Sequence, residues 1–184
     1  MLSSLIALSL LQAAASTPPA PTVEPLQGWN LDSNPEGCLV HTTERAGTVL
    51  SVFALPEREG IGFLVQNPKW TDLEDGAVYP LTIRFDNGSE WPVPALARTE
   101  IDEDGPGLYF AISPGTEEGG RDFIGEFAGA QGMRIANDGA EVDTLRLTNS
   151  RGATVALAQC LSRIYTGGAN PFEGSEGAVT ATRI

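Results

Sequence analysis

Apolar and polar residues alternate through most of the middle of this chain. Tyr79, Leu81, Ile83 and Phe85 are separated by Pro80, Thr82 and Arg84, and beyond a polar break Trp91, Val93 and Ala95 are separated by Pro92 and Pro94. A period of two sends successive side chains to opposite faces of a strand, so the odd positions here define a core face. Runs of the same kind over 38–43, 48–54, 60–67, 77–86, 89–97, 107–112, 131–136 and 141–148 predict about eight short strands. Glu59-Gly60, Asp75-Gly76, Asp104-Gly105 and Asp138-Gly139 separate them as turns. The expected fold is mainly β, an antiparallel sandwich or barrel.

The break at Asp86, Asn87 and Gly88 reads as a turn or as the start of a metal loop, and register decides between them. A two-residue Asn87-Gly88 loop sets Trp91 opposite Arg84 and mixes the faces. A three-residue loop sets Ile83 opposite Trp91 and Leu81 opposite Val93, which keeps one apolar face. The longer loop is expected, with Gly88 left-handed in a G1 bulge. No series of acidic ligands follows at alternating positions, as an EF-hand loop requires. Pro92 and Pro94 fall on the outward face and cannot donate to a ladder, which predicts an edge strand.

Two stretches change period. Within 117–130, Phe123, Ile124 and Phe127 form one helical stripe, with Glu117 and Glu118 ahead of it where the helix dipole favours negative charge. Over 150–165, Ala153, Leu157, Cys160 and Ile164 share a face, and Ser150 is the expected N-cap. Both helices are expected to pack on the sheet.

The ends differ from the middle. The first fifteen residues carry an apolar run, Leu5 to Leu11, followed by Ala13 and Ala15 in the spacing of a signal-peptidase site. Cleavage is expected after Ala15, or after Ser16. The run is shorter than the roughly 20 apolar residues of a membrane span. Residues 16–27 hold Pro18, Pro19, Pro21 and Pro25 and read as an extended linker. A single domain is expected over 28–165, and 166–184, rich in glycine and small residues, as a loose tail.

Export gives the cysteines their context. Cys38 opens the first expected strand and Cys160 lies on the inner stripe of the last helix. Two cysteines in an exported chain are expected to pair. His41, the sole histidine, lies three residues beyond Cys38, and that odd offset on a strand points the two to opposite faces. A thiol nucleophile is therefore disfavoured, and a single histidine excludes H-E-x-x-H and two-histidine zinc sites.

The formal net charge is -13 at pH 7, and Lys69 is the only lysine. Such a surface repels phosphate backbones and anionic lipid, so nucleic acid and membrane surfaces are poor partners. No P-loop, dinucleotide or G-x-S-x-G pattern is present. No catalytic, cofactor-binding or metal-ligating residue is assigned from the sequence. The densest carboxylate cluster is Glu100, Asp102, Glu103 and Asp104, which reads first as a solvated turn and second as a weak cation or sugar site.

A leader, a cysteine opening the first strand, the "YPLTIRFDNG" hairpin and a final helix ending "ALAQCLSRI" together resemble small exported proteobacterial proteins of the invasion-associated locus B type. The resemblance spans about residues 28–164, although this chain lacks that family's closely spaced central cysteine pair. It implies a non-catalytic periplasmic β-protein, an interaction or cell-envelope protein. The alternative reading is a carboxylate hydrolase acting on carbohydrate or cell-wall material, which requires two acids converging in a cleft lined by Trp70 or Trp91.

Overall fold

The computed structural model describes residues 26–34, 37–55, 60–113 and 123–165. The expected leader, the expected tail and the expected linker before Leu26 lie outside the described residues, as do Glu117 and Glu118.

Among the described residues nine strands form one antiparallel sheet. They are β1 (Asn30–Asn34), β2 (Gly37–Thr43), β3 (Val49–Leu55), β4 (Gly60–Gln66), β5 (Val78–Phe85), β6 (Glu90–Arg98), β7 (Gly107–Ile112), β8 (Gly132–Asn137) and β9 (Ala140–Arg146). Helices α1 (Phe123–Gly129) and α2 (Ser150–Tyr165) follow β7 and β9. The strand order β1-β2-β3-β4-β7-β6-β5-β8-β9 joins two meanders and a final hairpin. The sheet curls into a half-barrel rather than splitting into a sandwich.

The inner face follows the alternation. Val40, Leu50, Phe63, Phe110, Ala95, Ile83 and Ile135 are almost fully buried. The two helices pack against this face. Helix α1 has only seven residues, too few to be stable alone, so its packing must hold it. Phe123 meets the rings of Phe63, Phe85, Trp91 and Phe110 edge-on, and Phe127 meets Phe63, Phe85 and Trp29. One short helix thereby joins the two meanders through aromatic contacts.

Near β9 the curl is fastened by side chains. Thr48, just before β3, donates to Asp143 Oδ2 at 2.6 Å and accepts from Asn67 at 2.8 Å. Glu44, in the β2–β3 turn, accepts from the Arg146 backbone N–H at 2.8 Å. Trp29 donates from its indole to the Thr148 carbonyl at 2.9 Å. Apart from the Asn67–Thr48 bond, which spans 19 positions, these bonds link residues about a hundred positions apart, and all satisfy polar groups at the rim of the core.

The expected pairing at the central hairpin is observed: Ile83 faces Trp91 and Leu81 faces Val93. The expected left-handed Gly88 is not, since Gly88 is absent from the positive-φ residues. The bulged turn occurs instead between β2 and β3. There Gly47 has φ 90°, its N–H bonds to Glu44 O, and the Glu44 N–H bonds to Thr48 O. Asp138 and Gly139, with φ of 48° and 81°, form a mirror-image two-residue hairpin turn between β8 and β9.

The edge-strand expectation for β6 is also corrected. The strand lies between β5 and β7, but only Leu96, Ala97 and Arg98 pair with β7. Pro94 faces Pro80 across the β5 ladder. Two prolines can face each other only at a non-hydrogen-bonded rung, so the missing donor of Pro94 lies on the β7 side. The prolines thus end a ladder inside the sheet.

Ser150 is not the N-cap of α2. Asn149, with φ 62°, supplies the carbonyl that accepts the first helical bond from Ala153 N, and so holds that position. The Ser150 hydroxyl instead bonds to the carbonyls at the end of α1, 3.3 Å from Ala128 O and 3.2 Å from Ala130 O.

Candidate functional site

Cys38 and Cys160 are joined, with their Cα atoms 6.1 Å apart. The bond fixes α2 to β2, the second strand, one strand later than the expected first. Ala153, Leu157 and Cys160 form the buried stripe of α2, with Ile164 half-buried at its end. The reverse of β2 carries His41, as the odd offset from Cys38 requires. Its Nδ1 is 3.2 Å from Asp32 Oδ2, and its Nε2 is 3.1 Å from the Asn30 amide nitrogen. Both partners are on β1, so the imidazole fastens this outer strand to β2.

Asp86, Asn87 and Gly88 clasp α1 and the residues that follow it. Asp86 accepts from the Gln131 N–H at 3.0 Å, and Asn87 donates to the Glu126 carbonyl at 3.1 Å. Glu126 Oε2 accepts from the Ser89 N–H at 3.0 Å and from the Trp91 indole at 2.7 Å. A Cβ on Gly88 would run into the Glu126 carboxylate. Glycine is needed there for close approach to the helix.

A concavity of about 790 Å³ lies over the outer face of β2, β3 and β4. His41 and Asp32 line it from the β1 side, and Asp102, Glu103 and Asp104 from the loop before β7. Leu39, Phe53 and Leu64 provide apolar surface between them. Phe53 lies across Gly62 and stacks on Tyr109, with ring centroids 6.1 Å apart and planes at 19°. Gln66, 2% exposed, anchors the acidic loop by donating to Asp102 Oδ1 at 2.7 Å and Gly105 O at 3.1 Å. Asp102 also accepts from the Asp104 N–H at 3.0 Å and is therefore a loop-forming residue. The Glu103 and Asp104 carboxylates make no hydrogen bond or ion pair among the described residues.

The groove thus brings together Asp102, Glu103 and Asp104 of the acidic cluster read from the sequence, though not Glu100, and two residues that reading left apart, Asp32 and Phe53. Asp32 was hidden because β1 was not recognised, although Trp29-Asn30-Leu31-Asp32 does alternate. Trp91 lies in the core, 7% exposed, and Trp70 lines a separate cleft with Asp72. Among the described residues no group of three or more His, Cys, Asp or Glu is placed to hold a metal ion. Among them, too, no helix is long and apolar enough to cross a membrane. No family model, curated protein or solved structure matches this chain.

Proposed function

We propose that this chain is an exported β-domain, periplasmic or secreted, that acts by binding as an interaction or cell-envelope protein. The observation that carries the reading is the groove over β2–β4, where carboxylates surround an aromatic and aliphatic floor. An aromatic face beside carboxylates attracts organic cations, because the ring quadrupole and the anions act in the same sense. The favoured partner presents a lysine or arginine segment, which the net charge of -13 attracts from a distance. The disulfide and the resemblance to the invasion-associated locus B proteins support export.

The test uses the mature chain as bait in a periplasmic extract, at low and raised salt. Wild type should retain a partner that raised salt releases. The double substitution Glu103→Lys, Asp104→Lys should lower capture at least about ten-fold, whereas Asp138→Lys, on a remote turn, should not. Equal capture by all three proteins contradicts the groove as the binding surface.

A carboxylate hydrolase is the second reading, favoured by the presence of Asp32, Asp102, Glu103 and Asp104 in one groove, although neither Trp70 nor Trp91, the expected lining, is part of it. It requires release of soluble sugar from cell-wall material by wild type and loss of that release in Asp32→Asn.

A further inference from the structure

The connection between β4 and β5 covers a second concavity of about 290 Å³ that shares no lining residue with the groove. Its deep surface is Leu81 and Leu108, 2% and 3% exposed. Trp70, Leu73, Tyr79 and Val142 line it at half-buried positions. Asn137, the last residue of β8, also lines it. Lys69, Thr71 and Asp72 line its exposed rim, and an apolar floor with aromatic walls and a few polar groups has the form of a small-molecule site.

Asn137 is the unusual member. Its Oδ1 is buried and is the one such side-chain oxygen or nitrogen without a hydrogen-bond partner among the described residues. An unpartnered buried acceptor carries the desolvation cost of its oxygen with nothing in return, so it calls for a physical explanation. Asn137 lines the cleft, and its Oδ1 makes no hydrogen bond among the described residues. A ligand that donates to it would remove the cost.

We propose that this cleft binds a compact molecule of one or two rings that carries a hydroxyl or N–H donor, with Asn137 Oδ1 as the acceptor. Its volume lies at the lower end of ligand pockets, which excludes larger polycyclic compounds. Trp70 and Tyr79 provide ring faces and edges for an aromatic guest. The site is independent of the groove, so failure of one leaves the other standing.

The test is fluorine NMR on the mature chain with two probes, 4-fluorobenzyl alcohol and 4-fluorotoluene, which lacks the hydroxyl. The alcohol signal should broaden saturably, with an affinity roughly five-fold above that of fluorotoluene, the scale of one neutral hydrogen bond. Asn137→Leu should bring the alcohol down to the level of fluorotoluene, and Val142→Phe should abolish binding of both by filling the cleft. A cooperative melt verifies folding, and Asn137→Ala, which adds no bulk, replaces the leucine variant if that melt is lost. The proposal is overturned if neither probe broadens, or if the alcohol keeps its advantage without the Asn137 amide.

Discussion

Glu126 shows how one side chain decides the meaning of a turn. Its Oε2 takes the indole proton of Trp91 and the backbone proton of Ser89, and both donors lie in part-buried bonds. Removing it leaves two donors without that acceptor, each worth about 1–3 kcal/mol. Gly88→Val should cost a similar amount because the new side chain displaces the carboxylate. The two effects are coupled. Chemical denaturation should give a sum of single losses, Glu126→Ala plus Gly88→Val, larger than the loss in the double variant. Additive losses would show that Gly88 acts through its own backbone. The hairpin register was legible from alternation, but this contact was not. It joins residues 35 to 38 positions apart, and no local pattern in Glu126 marks it as a clasp.

At the scale of elements, alternation identified eight of the strands, most of them through a strong apolar face and β9 through Val142 and Leu145. It failed for β1, NLDSN, whose Asn and Asp residues have low strand preference. There the tertiary partners supply the stability: His41 holds Asn30 and Asp32, and Leu31 packs on the core. The prolines of β6 were read correctly as groups that cannot donate. Their effect was misplaced because strand order is not a local property. The helix stripes were legible, and with them the disulfide that ties α2 to β2. Cys38→Ser, Cys160→Ser and the double variant should lose stability almost equally, by about 2 to 5 kcal/mol each, since either single change breaks the link. A double variant clearly less stable than both singles would mean that the cysteines contribute separately through packing.

On the scale of the whole molecule, the half-barrel assigns its two faces different tasks. The inner face is filled by α1 and α2 around the aromatic cluster. The outer face carries the acid-rimmed groove over β2–β4, the surface proposed above for binding. The carboxylate cluster in that groove was visible in the sequence, whereas its assembly with Asp32 and Phe53 depends on the pairing of β1 with β2 and of β2 with β3. The 122-residue separation of the cysteines makes their bond a constraint on nearly the entire domain. An oxidising compartment is the natural setting for it. The proposed role therefore rests on the chain being exported and oxidised before it meets its partner. Intact-mass measurement of the protein recovered from the extracytoplasmic fraction of its own cells tests this most directly. The account predicts a mature chain starting at Ser16 or Thr17, lighter than its reduced form by the two hydrogens lost on disulfide formation. A cytoplasmic chain that retains Met1 and carries two free thiols would contradict it.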